Sequence, residues 1–307
     1  MVTLVVSSVS ESALPKTLIG IEIGQRNYLL YLLLPHLMKE RMLSPASRAK
    51  LDRINRLFNE TLYSGEGAVA YDRIHRYAEE EQHEYPARPL VADVWAGRGY
   101  GRALELGAGS GYFTVLIARR AQHVTAIEPV ADIRRVLVDR CRAEGLTNVD
   151  AIGVAASNLS SAVPDGSVDS ALVIQSLHHF HRRPEVFAAL GRAVRPGGRL
   201  FLVEPHHNLR RVGRLLRNYL TTYRAPTFWR DERNWATHDF LTRGEIMNLC
   251  RHGRFGHVKI SGYWIPYSRR LISDPMRRFQ VERAVGRLPG LRHWASVLVV
   301  EAIRTGG

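Results

Sequence analysis

Three glycines stand at alternate positions, Gly107, Gly109 and Gly111, in the run Leu104-Glu-Leu-Gly-Ala-Gly-Ser-Gly-Tyr-Phe-Thr114. Residues without a Cβ let a backbone turn sharply and approach a ligand closely. The run leaves an apolar strand pattern and enters a helical one, so these glycines sit at a strand-to-helix junction. They do not form the dinucleotide fingerprint G-x-G-x-x-G, because Tyr112 stands where the third glycine is required. Glu128 ends the next apolar run, where a carboxylate can hold the two hydroxyls of a ribose. A bare structural turn and a solvated strand-end acid are the plainer alternatives for these positions.

A second set of reactive side chains follows a later strand pattern, in Gln175-Ser-Leu-His-His-Phe-His181. Imidazole titrates near neutral pH and is the natural general base. His206 and His207, with Glu204 just before them, form another polar group after the following strand. Cys141 and Cys250 are too few and too distant for a zinc site or a disulfide framework, so no metal is expected.

These residues need a scaffold, and the pattern from residue 101 onward supplies one. Strands are expected at Arg102–Leu106, Val124–Ile127, Val149–Val154, Val168–Ile174 and Arg199–Val203. Helices are expected between them at Tyr112–Arg120, Ile133–Arg142 and Pro184–Val194. This succession predicts an α/β fold with a parallel sheet and right-handed crossovers. Val258–Tyr263 and Ser296–Ala302 are expected to close the sheet as an antiparallel pair. Between them and the fifth strand lies a long connection, 206–256, with an Arg-rich helix over Leu209–Tyr223 and a helix opened by Thr242-Arg-Gly-Glu245 at capping-box spacing. Upstream, residues 16 to 85 read as helices, one starting at Ser44-Pro45, and Tyr85–Pro89 reads as a linker. The expected organisation is a helical cap over 1–95 and a core domain over 96–307 that includes the 206–256 lid.

Four stretches in order resemble the class I S-adenosylmethionine-dependent methyltransferases. They are Glu105 with Gly107, Gly109 and Gly111; Ile127-Glu-Pro129; Pro164-Asp-Gly-Ser-Val-Asp169 with the strand after it; and Arg192–Glu204. The resemblance covers about residues 100–205. It implies a Rossmann-like, seven-stranded, mostly parallel sheet, S-adenosyl-L-methionine as cofactor and S-adenosyl-L-homocysteine as product. By the same resemblance, Glu105, Gly107, Ala108, Gly109 and Gly111 form the cofactor loop, Glu128 and Pro129 lie at the ribose, and Gln175 and Tyr71 border the cofactor. Ala155 stands where many relatives carry an adenine-binding Asp, so Ala156, Ser157 or Asn158 is expected to take that role. His179, then His178, are the expected base, with positioning alone as the alternative. His206, His207, Trp229 and Trp235, with Tyr219 and Tyr223, are expected around the acceptor.

The composition is 45% apolar and 23% charged, which excludes disordered and collagenous chains. The net charge of +14 is uneven: residues 1–150 hold 19 basic and 18 acidic side chains, and residues 151–307 hold 24 and 11. An RNA or DNA substrate is disfavoured, because the aromatic motif of base methylation and a Pro-Cys nucleophile are both absent. The leading expectation is O-methylation of a small, natural-product-like acceptor, with an anionic acceptor open because of the arginines. The alternative is a lipid, quinone or lipid-linked glycan at a membrane surface, met through the Leu-rich run 28–38 and the Arg helix 209–217. That run is interrupted by Pro35 and is too short to span a bilayer. It is expected to be a buried helix, with a homodimer face as an alternative. No leader is read at the start, and a cytoplasmic location is expected.

Overall fold

The structure, a computed structural model, describes residues 63–80, 99–222 and 240–306, with isolated positions between 33 and 49. Trp229, Trp235, Tyr223, the linker at 85–89 and nearly all of the run 28–38 lie outside the described residues.

Seven strands form one sheet in the order β3-β2-β1-β4-β5-β7-β6. Helix α1 (Glu66–Glu80) precedes β1 (Gly101–Leu106), α2 (Tyr112–Ala118), β2 (Ala121–Ile127), α3 (Ala131–Ala143) and β3 (Val149–Ile152). Then come β4 (Val168–Ile174), α4 (Arg183–Ala193), β5 (Val194–Pro205), α5 (Leu209–Thr222) and α6 (Arg243–His252). The chain continues through β6 (Phe255–Tyr263), α7 (Ser268–Leu271), α8 (Pro275–Val285), α9 (Pro289–Trp294) and β7 (Val297–Arg304). Strands β1 to β5 are parallel, and β7 runs antiparallel between β5 and β6. The expected mixed sheet is therefore present, with its last strand inserted inward of β6.

Helices cover both faces of the sheet, so apolar residues are buried on both sides of its central strands. Along β5, Leu200 and Leu202 pack toward one layer with Phe187 and Leu190 of α4 and Ile246 and Leu249 of α6. Phe201 and Val203 pack toward the other, with Val115 and Ile117 of α2 and Leu137 of α3. Helix α6 starts with the capping box expected there: Glu245 N–H donates to Thr242 Oγ1 at 3.2 Å, and Thr242 N–H donates to the Glu245 carboxylate at 2.6 Å. Such a cap contributes about 1 kcal/mol. Because α6 packs on α4 and β6, this part of the 206–256 connection belongs to the core and not to a cover over the sheet edge. Helices α7 to α9 have no counterpart among the expected elements. Their segment is rich in arginine and lacks an apolar period. Among the described residues no helix is long and apolar enough to cross a membrane.

Candidate functional site

The strand order reverses between β1 and β4, which leaves a crevice at their carboxyl ends, where open α/β sheets bind ligands. The glycine loop after β1 and the Gln175–His179 turn after β4 face each other across it. Ser176 Oγ donates to the Leu106 carbonyl at 2.7 Å and ties the two together. Gly107, Gly109 and Gly111 have φ of 70°, 55° and 79°, a region costly for any residue with a Cβ. A methyl on Gly107 would collide with the Ser176 side chain, and one on Gly111 with Leu137. At Gly109 it would meet only the Tyr71 ring, at 3.9 Å, so the middle of the loop presents bare backbone to the space beneath Tyr71.

Two buried carboxylates hold the loop. Glu128 accepts from the N–H of Gly109 at 2.9 Å and of Val130 at 3.0 Å, one bond to each oxygen. Burial pushes its pKa up, against these bonds and the Arg134 charge. Glu105 accepts from Thr114 Oγ1 at 2.6 Å. Its complete burial, opposed by that bond and reinforced by the Glu128 charge, pushes its pKa up to about 8. Ala108 is buried, its N–H on the Ile127 carbonyl, and Pro129 is exposed beside Glu128. Ala156 and the exposed Ser157 open a 3-10 turn over Ala156–Ser161, past the end of β3. Gln175 adopts φ of 52°, and its buried Nε2 has no hydrogen-bond partner among the described residues. A strained residue carrying an unmet donor at a sheet edge is the pattern of a ligand contact.

Helix α1 brings Tyr71 over this loop. It is docked on α3 by the Asp72–Arg140 ion pair at 2.5 Å, both side chains largely buried, and by Gly65 N–H donating to Asp132 at 2.7 Å. The Tyr63 ring packs edge-on against Tyr71 at 4.8 Å and lies 6.4 Å from His179. No motif in the sequence marks Tyr63; only the docking of α1 brings it to the site.

The two histidines differ in environment. His178 is buried, and its Nδ1 lies 2.8 Å from Glu204 Oε2. The other oxygen of Glu204 accepts from the N–H of Ser176 at 2.7 Å and of Leu177 at 2.6 Å. Glu204 is thus fully buried and turned toward the β4 turn, rather than toward His206 and His207, which follow it in sequence. The β4–β5 register, pairing Ile174 with Val203, is the signal that places it there. His179 is half-buried against His178, with ring centroids 4.2 Å apart. His206 is buried with Nδ1 on the Ala295 carbonyl at 3.0 Å, and burial pushes its pKa down. His207 Nε2 meets the Leu33 carbonyl at 3.0 Å. Of the α5 arginines only Arg211 turns inward, its guanidinium 3.4 Å over Phe240, whose ring packs on His178 at 5.3 Å. Arg210, Arg214 and Arg217 are exposed.

Comparison with known proteins agrees with this architecture. Residues 104–202 match the model of a methyltransferase domain. A ubiquinone biosynthesis O-methyltransferase of Methylococcus capsulatus is 27% identical over 167 residues, 54% of this chain and 65% of that protein. An uncharacterized methyltransferase of Mycobacterium tuberculosis is 37% identical over 105 residues, 33% of this chain and 39% of that protein. The matches thus span less than two thirds of these relatives' lengths. In fold, the chain is similar to a phosphoethanolamine N-methyltransferase of Haemonchus contortus solved with S-adenosyl-L-methionine. The TM-score is 0.56 at 14% identity, covering 82% of this chain and 60% of that one.

Proposed function

Because residues 104–202 form a methyltransferase domain of the class I S-adenosylmethionine-dependent family, we propose that the chain methylates a hydroxyl of a small-molecule acceptor, with His178 as the base. The observation that carries this reading is the Glu204–His178 pair, set at the carboxyl edge of β4 opposite the glycine loop.

The residues present fit the cofactor: a loop of bare backbone at Gly109, a buried carboxylate at the end of β2, and the unmet amide donor of Gln175. When bound, S-adenosylmethionine supplies an electrophilic methyl group that carries its own leaving group. Gly107 to Gly111 and Glu105 would hold its amino-acid end, Glu128 and Pro129 its ribose, and Ala156 and Ser157 its adenine, with Gln175 and Tyr71 along its flank. Tyr63 and helix α1 lie over this loop and shield it from water.

The protein's remaining task is to position the acceptor and take its proton. Two N–H groups already donate to Oε1 of Glu204, so Oε2 is assigned as the acceptor of a hydrogen on His178 Nδ1. With hydrogen on Nδ1, Nε2 is the nitrogen that would take the hydroxyl proton. His179, beside Tyr63, orients the acceptor next to this base. His206 and His207, whose ring nitrogens meet the Ala295 and Leu33 carbonyls, follow β5 at the same edge and border the acceptor side. The relative named for ubiquinone biosynthesis favours a hydroxylated aromatic acceptor over a natural product of another kind.

The test is a methyl-transfer assay with labelled S-adenosylmethionine and a panel of catechols and hydroquinones, read by mass for one added methylene. His178→Ala is expected to lower kcat by about 100-fold or more, and Glu204→Gln by a smaller factor with a shifted pH profile. Methylation of amines alone, or full activity in His178→Ala, would overturn the reading.

A further inference from the structure

The basic excess of the second half has a place in the fold. Pro205, Tyr263 and Val297 are paired neighbours across β5, β7 and β6, so α5 and the segment α7–α9 leave the sheet at one edge, the edge that holds the site. Contacts join them: Arg210 Nη1 donates to Ser296 Oγ at 3.3 Å, and Asn208 Nδ2 donates to the His293 carbonyl at 3.3 Å.

This rim is amphipathic on its exposed side. Along α5, Leu209, Leu216 and Leu220 fall on one line at helical spacing and are 64%, 38% and 64% exposed. Arg210, Arg214 and Arg217 form the adjacent line, while Arg211 and Leu215 face inward. In the same segment, α7 carries Arg269 and Arg270 between Tyr267, at its N-cap, and Leu271, which are 67% and 80% exposed. The turn before α7 is rigid, because the buried Glu282 carboxylate accepts from the N–H of Trp264 and Ile265 at 3.0 and 3.1 Å. No acidic residue occurs from 205 to 230 or from 264 to 273.

We propose that this rim docks on an anionic lipid bilayer, with the exposed leucines in the acyl boundary and the arginines on the headgroups. An apolar line beside a cationic one, with no acid among them, is complementary to that surface. Nucleic acid would match the arginines but leave the leucines unmatched. A second copy of the chain, paired through the same face, would set arginine against arginine with no acid to offset it. Docking here sets the site edge toward the membrane, which suits an acceptor that partitions into lipid. The inference goes beyond methyl transfer and stands without it.

Co-sedimentation of the full chain with vesicles tests it, using phosphatidylcholine alone or mixed with phosphatidylglycerol. Binding is expected only to the mixed vesicles. The pair Arg214→Glu and Arg217→Glu should weaken it roughly 30-fold or more. The charge-neutral pair Leu216→Ser and Leu220→Ser should weaken it about tenfold. Circular dichroism and affinity for S-adenosylhomocysteine should be unchanged in both, and Arg214→Gln with Arg217→Gln replaces the first pair if it misfolds. Three results would overturn the proposal: equal binding to both vesicle types, binding indifferent to the leucine pair, or no vesicle binding with a homodimer that the leucine pair dissociates. So would capture of an oligonucleotide in preference to the mixed vesicles. No cofactor or acceptor enters the assay, so its outcome is separate from that of the methyl-transfer test.

Discussion

The two ends of the sheet edge are built differently. On the β1–β2 side, proposed to hold the cofactor, the atoms facing the crevice are main chain, and two buried acids, Glu105 and Glu128, brace them. On the β4–β5 side and beyond, the facing atoms are side chains: His178 set by Glu204, and Arg211 laid on Phe240. The first arrangement suits a ligand whose shape never changes. The second presents side chains, which single substitutions can replace, so acceptor preference can drift over a constant loop.

That contrast can be broken most forcefully at Gly107. Gly107→Val puts a branched side chain at φ of 70° and into Ser176. Loss of affinity for S-adenosylhomocysteine by about 100-fold is expected by calorimetry, with destabilisation of about 1–3 kcal/mol from strain alone. Near-native affinity would show that the loop is not the rigid half. Asp72→Asn is a milder probe, because it leaves the largely buried Arg140 without its carboxylate. Loosening α1 by about 1–3 kcal/mol should weaken S-adenosylhomocysteine binding several-fold and speed proteolysis within 63–80. Unchanged proteolysis would mean that α1 is held by other contacts. The smallest effect is a pH dependence. The Glu105 pKa lies at about 8 in the fold, above its ordinary 4.5. Its contribution to stability is therefore present in full below 4.5 and is lost as pH rises through about 8. Glu105→Gln should flatten the fall of the ligand-free protein's Tm over that window, and an identical slope in both proteins would place the titration elsewhere.

The geometry of the proposed cofactor side was legible in the sequence because its signals are local. A glycine triplet after a strand and an acid closing the next strand require only the order of residues along the chain. Strand β4 shows through its buried apolar stretch Ala171–Ile174, and Val168–Ile174 is found at its expected bounds. The acceptor side depends on which strands are neighbours. Glu204 lies close to His206 and His207 in sequence, yet its partner is His178, 26 residues earlier, because β5 pairs with β4. Tyr63 reaches His179 only through the docking of α1. Helix α8 escaped notice because its buried members include Arg278 and Glu282, charged residues that carry no apolar period.

The inward position of β7 has a consequence for the order of assembly. Strand β6 pairs only with β7 among the described strands, so residues 255–263 wait for residues 297–304 before they join the sheet. Parallel strands β1 to β5 can pair as soon as they emerge from the ribosome, while the final two register together as one late step. The half proposed to hold the cofactor can thus pair first, and the opposite end of the sheet is sealed last by an internal strand. Damage to residues 297–304 would free β6 and expose the inner edge of β5 at once, a pair of open strand edges ready to join those of other chains.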